Sequence, residues 1–196
     1  MKTNQNFSNG LMILFLMISG FSYAQSDLKP PVQSSQFSAA ISMGHYRYDP
    51  GVALEVTTPA FLKDNLSLRF RTSVQWLEEY KSVYDHWVSY NTYSLGLVYY
   101  APIVDRTRFY SEVGMLSIIP DIKFSDEVSL EGFYILNGLE ILLFTKPDFS
   151  LSLSLAIGPS FIEAYAEKIE GRPRYGSGLT YITGVRAYFG KMQMKE

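Results

Sequence analysis

Three groups of residues in this chain carry side chains able to do chemistry. In the segment YDHW, His86 lies beside Asp85, with Ser82 and Ser89 close in sequence. An imidazole that accepts a hydroxyl proton while a carboxylate orients it is the arrangement of nucleophilic hydrolases. His86 is the one catalytic candidate, and only proximity along the chain supports it, because neighbours on one loop do not converge as a triad must. The second histidine, His45, falls on the apolar parity of a strand, where an interface role is expected.

The second group is Glu55, Arg69, Arg71, Glu112, Glu140 and Arg186, with carboxylates and guanidiniums in equal number on separate predicted strands. An unpaired buried charge is strongly destabilising, whereas a paired and hydrogen-bonded one is tolerated. A neutral set of this kind suits a closed interior, and we read it as a lumen ion network. The third group, Lys168, Arg172, Arg174 and Tyr175 in KIEGRPRY, puts cations beside an aromatic ring. A solvated charged loop is the plainer reading of such a stretch, with contact to lipid phosphates or a protein partner as the functional one.

Other chemistries lack their residues. There is no cysteine, which excludes disulfides, thiolate metal ligation and a catalytic thiol. No histidine pair has metal-ligand spacing and no glycine-rich phosphate loop leads from a strand into a helix, so neither metal nor cofactor is expected. A formal net charge of −2 provides no footprint for nucleic acid.

The elements that must position these residues follow from hydropathy. Lys2, the apolar run Leu11–Ile18 and the small residues of Ser22-Tyr23-Ala24 form a secretory signal, so residues 1–24 are expected to be removed. Residues 25–36, with Pro30-Pro31, read as an extended periplasmic tether, and residues 191–196 as a C-terminal tail. Between them the chain alternates with period two over approximately 37–48, 51–58, 66–78, 88–100, 108–117, 130–143, 149–161 and 178–189. No helical period persists. The most apolar run after the signal, ILNGLEILLF, is too short for a transmembrane helix, which needs about 20 apolar residues. Strands of about 9–11 residues suffice to span as a tilted barrel.

Connections alternate in length. PAFLKDN, APIVDRT and FTKPD are short, whereas EEYKSVYDHW, IIPDIKFSDEVS and EAYAEKIEGRPRYGSG are long and charged, and Asp49-Pro50-Gly51 reads as a tight turn at the long-loop end.

Parity then sorts the side chains. One row, including Ile41, Leu54, Phe70, Leu95, Val113 and Leu155, has no charge, while the other is mostly Gly, Ser, Ala and Thr and holds the Arg and Glu set. A soluble lipocalin-like barrel would turn the apolar row inward and a membrane barrel would turn it outward. Small residues in the polar row favour a crowded interior. Aromatics near both ends, Tyr80, Tyr84, Trp87 and Tyr175 at one and Tyr99, Tyr100, Tyr188 and Phe189 at the other, are expected to form two interfacial girdles. The fold class is therefore all-β, an eight-stranded antiparallel up-and-down transmembrane β-barrel over residues 37–190.

With its signal ending SYAQ, the strand FYSEVGML with Glu112 and Gly114, and the last strand YITGVRAYF with Gly184 and a terminal Phe189, the chain resembles the small eight-stranded outer-membrane barrels of Gram-negative bacteria, the OmpA/OmpX-like group. The resemblance implies export to the cell outer membrane, insertion by the outer-membrane assembly machinery, and contact with outer-membrane lipids and lipopolysaccharide. It also implies a non-enzymatic structural, adhesive or accessory role, with the long loops open to an unidentified protein partner. Some such barrels modify lipid A or phospholipid, which leaves His86 an enzymatic alternative. A soluble periplasmic lipid binder is the third reading.

Overall fold

Strict alternation over this many segments leaves each strand with one face to bury, and the chain satisfies all of them by closing a sheet on itself. The computed structural model describes residues 36–190 apart from Arg47, Lys63, Asp64, Asp105 and Pro147. The expected signal 1–24, the tether up to Ser35 and the tail 191–196 lie outside the described residues. Eight strands follow in order: β1 (Phe37–Tyr46), β2 (Asp49–Thr57), β3 (Leu66–Trp76), β4 (Ser89–Val104), β5 (Thr107–Ile119), β6 (Leu130–Lys146), β7 (Phe149–Ile162) and β8 (Gly178–Phe189). Each pairs antiparallel with the next, and β8 returns to β1 from Phe37↔Phe189 to Tyr46↔Thr180, which closes the barrel.

Two departures from the expected boundaries have local causes. Tyr46 pairs with Asp49 and Gly44 with Gly51, so the first hairpin turns at residues 47 and 48, while Asp49, Pro50 and Gly51 belong to β2. Strand β6 continues to Lys146 because the register with β7 shifts between Leu142 and Phe144. A bulge of this kind inverts the alternation, so it mimics the end of a strand when only sequence is read.

One short helix, α1 (Glu78–Tyr84), interrupts the long connection between β3 and β4. Its first turn is held from outside, since the Glu78 amide donates to Asp49 Oδ1 at 3.1 Å. At the other end Asp85 adopts a left-handed conformation and Lys81 pairs with it. Seven residues are too few for a helical period to show in the sequence.

Burial follows parity. Along β3 the odd partners Ser67, Arg69, Arg71, Ser73 and Gln75 are buried, whereas Leu68 and Phe70 are exposed. The same inversion recurs at β1, β2, β4, β5, β7 and β8, where Ile41, Leu54, Leu95, Val113, Leu155 and Val185 face outward. The charges and most small polar groups lie inside, together with Tyr100, Tyr110, Tyr134, Leu136 and Tyr188, while the outside is largely aliphatic and aromatic.

Candidate functional site

The interior is the place where titratable side chains converge. All six charged residues of the polar row point into it: Arg69 and Arg186 are fully buried and Glu55, Arg71, Glu112 and Glu140 nearly so. Neighbouring strands supply them because β2 and β3 pair with Glu55 opposite Arg71, while Arg186 on β8 sits across β1 at Ala40, which in turn faces Glu55.

Arg69 is the hub. Its Nη1 donates to Glu112 Oε2 at 2.8 Å, its Nη2 to Tyr100 Oη at 2.8 Å and its Nε to Thr57 Oγ1 at 3.1 Å. Arg71 reaches Glu55 Oε1 at 3.0 Å and Glu112 Oε2 at 3.3 Å. Arg186 pairs with Glu55, donates to Thr57 Oγ1 at 2.7 Å, and lies 3.1 Å from Glu140 Oε1 through its Nε. Ser42 and Tyr134 complete the shells, donating to Glu55 Oε1 at 2.9 Å and to Glu112 Oε1 at 2.6 Å. A guanidinium offers five N–H donors in a rigid fork, which is why one arginine can tie three strands together.

A seventh charge belongs to the cluster and is absent from the sequence-derived set. Arg108 holds Glu140 Oε2 through Nε at 2.9 Å and Nη2 at 2.7 Å, and stacks over the Tyr100 ring at 4.1 Å and the Tyr188 ring at 4.9 Å. Its parity is that of Tyr110 and Glu112, so extending the polar row by one step to the start of β5 would have found it. With it the cluster holds four arginines against three glutamates, and Arg108, 18% exposed, is its most accessible member. Partial hydration at that end lowers the cost of the extra positive charge.

Several expected interfacial aromatics turn inward instead. Tyr100 and Tyr188 are buried against Arg108, and Tyr80 and Tyr175 are buried at the long-loop end. Position along the chain suggested a girdle, but strand parity turns Tyr100 and Tyr188 inward, and tertiary packing of α1 and the β7–β8 loop buries Tyr80 and Tyr175. Tyr84, Trp87, Tyr99 and Phe189 do face out.

Aromatic side chains pack together at the long-loop end. Phe124, from the β5–β6 loop, and Tyr175, from the β7–β8 loop, are fully buried and meet edge to face at 5.1 Å. Tyr90 adjoins both rings and donates to Asp49 Oδ2 at 2.7 Å, beneath Leu77 and Ile118. Tyr175 therefore belongs to a hydrophobic cap and not to an outward contact surface, which corrects its assignment with the loop cations. Lys168 clamps the cap, pairing with Asp126 at 2.6 Å and donating to the Ile122 carbonyl at 2.7 Å. Arg174 stacks on and bonds to Tyr165, while Arg172 is exposed in a left-handed turn.

Burial pushes the Tyr175 phenol up to about 12, reinforced by the carboxylates of Glu167 and Glu127. A phenol whose folded pKa is raised contributes stability below its unfolded value of roughly 10, and loses it as pH rises through the folded value. The cap should thus hold Tyr175 protonated well past pH 10. In a 295 nm titration, Tyr175→Phe should remove one tyrosine from the late phase and leave the early phase unchanged; a loss from the early phase would contradict the burial.

His86 does not assemble a triad. Its Nδ1 lies 2.9 Å from the Tyr84 carbonyl, Asp85 is paired with Lys81, and Ser82 Oγ donates to the Glu78 carbonyl at 3.0 Å. His45 is exposed on the outer wall, opposite Tyr181. Among the described residues there is no group of three or more His, Asp or Glu placed to hold a metal.

A closed antiparallel barrel of eight strands, charged inside and apolar outside, is the architecture of the small outer-membrane barrels, and the chain has that fold. Among solved structures it is similar to the N-terminal β-barrel domain of OprF from Pseudomonas aeruginosa, at 16% identity and a TM-score of 0.52, with 79% of this chain and 97% of that one covered. It also matches Neisserial surface protein A, at 13% identity and a TM-score of 0.44 over 79% of this chain and 94% of that one. The Yersinia pestis outer membrane protein Ail matches at 12% identity and a TM-score of 0.42 over 79% and 99% of the two chains. No family model and no curated protein matches the sequence.

Proposed function

We propose that this chain is a small integral outer-membrane protein whose lumen is plugged by its own side chains and whose role is structural, adhesive or accessory. The observation that carries this reading is the inverted burial. Ile41, Leu54, Leu95, Val113 and Met115 are more than half exposed, while Arg69, Arg186 and Glu112 are essentially inaccessible. Water would penalise that outer surface heavily at about 25 cal/mol per Å² of apolar area, whereas acyl chains would not. A lipocalin-like carrier requires the opposite arrangement.

The interior argues against a pore. Eight strands enclose a space that side chains fill, and here the filling is a hydrogen-bonded ionic cluster with an aromatic cap above it. The proposed protein therefore offers a rigid frame, with the long-loop end presented to the exterior, contacts to outer-membrane lipid and lipopolysaccharide along its wall, and delivery by the secretory and assembly machineries. Arg172, exposed in the β7–β8 loop, is the loop cation offered to a phosphate or a protein partner, since Lys168 and Arg174 are engaged within the loops.

Migration on a gel tests this directly. Protein from purified outer membranes should run at different positions before and after boiling, and planar bilayers containing it should show no steady conductance. Recovery in the soluble periplasmic fraction, or a lasting open channel, would sink the reading. Lipid A spectra from a strain lacking the protein should be unchanged; an altered acyl pattern would revive the His86 alternative.

A further inference from the structure

The outer wall is not uniform in chemistry. Among its large apolar side chains, such as Leu54, Phe70, Leu95 and Val113, it carries a few polar ones: Thr72 on β3, Ser111 on β5, Asn137 on β6 and Thr183 on β8. Ser111 and Asn137 are cross-strand partners, and Ser111 Oγ donates to Asn137 Oδ1 at 2.8 Å. The two amide hydrogens of Asn137 then have no acceptor among the described residues. Asn137 lies near the middle of β6, so in a membrane those hydrogens would meet acyl chains, which offer none. An unmatched amide in hydrocarbon is strongly unfavourable, and a protein face able to accept hydrogen bonds removes the penalty.

Asparagine is donor and acceptor at once, and is therefore its own complement across a twofold axis. Shape agrees with this pairing. On the β7 side of Asn137, which itself contributes to the lining, the wall sinks into a hollow of about 660 Å³ that extends past Leu155, Ile157 and Tyr181 to Met43 on β1. On the other side β5 projects Val113 and Met115, 53% and 66% exposed. A twofold rotation about an axis near Asn137 sets the projecting side of each copy against the hollow side of the other, as an isologous contact requires.

We propose that the β5–β8 wall centred on Asn137 is the contact face between two copies of this chain within the membrane, an inference that rests on the outer-membrane reading above. The chain has no cysteine, so Asn137→Cys introduces a single thiol. Leu54→Cys does the same on β2, four strands away in either direction and so on the opposite side of the barrel, and serves as the control.

After copper-phenanthroline oxidation of outer membranes, Asn137→Cys should produce a disulfide-linked band of twice the monomer mass that Leu54→Cys lacks. In detergent, Asn137→Leu should weaken self-association measured by sedimentation equilibrium by about 3- to 10-fold. Equal cross-linking of the two cysteine variants, or cross-linking of Asn137→Cys to a different protein, would overturn the inference while leaving heat-modifiable migration and the membrane reading intact. Loss of heat-modifiable migration in the unsubstituted protein would instead remove the reading beneath it.

Discussion

Arg69→Ala should lower the free energy of unfolding by about 3–5 kcal/mol, the range for removing one partner from buried, hydrogen-bonded ion pairs. Arg69 donates to Glu112, Tyr100 and Thr57 and lies within 3.8 Å of Glu55 and 3.5 Å of Glu140. Truncation therefore removes the one cation that touches all three glutamates, at a site no water reaches. Arg71→Ala should act in the same direction with a smaller effect, because Glu55 keeps Arg186 and Glu112 keeps Arg69. Urea unfolding of the folded barrel in detergent micelles, followed by the heat-shift on gels, measures both. Transitions that coincide with the unsubstituted protein would show that these side chains are not buried together.

Gly96→Ala should destabilise the barrel by about 1.5–3 kcal/mol, through a single displaced contact. A β-carbon at Gly96 would sit 2.4 Å from Tyr134 Oη and 2.9 Å from Glu112 Oε1. These are the two atoms joined by the Tyr134–Glu112 hydrogen bond, so the added methyl must drive them apart. Charged acceptors make that bond stronger than an ordinary one. Tyr134→Phe removes the obstructing hydroxyl, so in the double variant the two losses should not add, because both remove the same bond. Additive losses would place the strain elsewhere.

Much of this site was legible because strand parity has only two answers. Arg69 and Arg71 fall on one face of LSLRFRTSVQW, and the same parity applied strand by strand puts Glu55, Glu112, Glu140 and Arg186 on the matching face. Arg108 escaped because it lies at the first turn of its strand, where alternation has barely begun. Tyr100 and Tyr188 were misplaced because aromatics near a strand end satisfy two descriptions, a girdle outside or a cation partner inside; their parity is inward, and there Arg108 stacks on both rings.

The loops were less legible, for a different reason. Their conformations are set by contacts distant in sequence. Asp49 on β2 holds both the α1 amide of Glu78 and the Tyr90 hydroxyl, and Phe124 and Tyr175 meet only when two long loops fold over the mouth. Neither propensity nor periodicity in KIEGRPRY distinguishes a tyrosine that faces solvent from one that seals a barrel. His86 was a weak catalytic candidate on sequence alone, and the partners of Asp85 and Ser82 place no triad around it.

The orientation of the wall is the claim on which everything else depends, and a spin-label scan along Leu66–Trp76 tests it most directly. The absence of native cysteine allows one label at a time. In lipid bilayers, labels at Leu68, Phe70, Thr72 and Val74 should be accessible to dissolved oxygen and shielded from a water-soluble nickel complex, while labels at Ser67, Ser73 and Gln75 should be shielded from both. The same outward positions exposed to the nickel complex, or an accessibility that does not alternate with period two, would contradict a lipid-facing barrel with a filled interior.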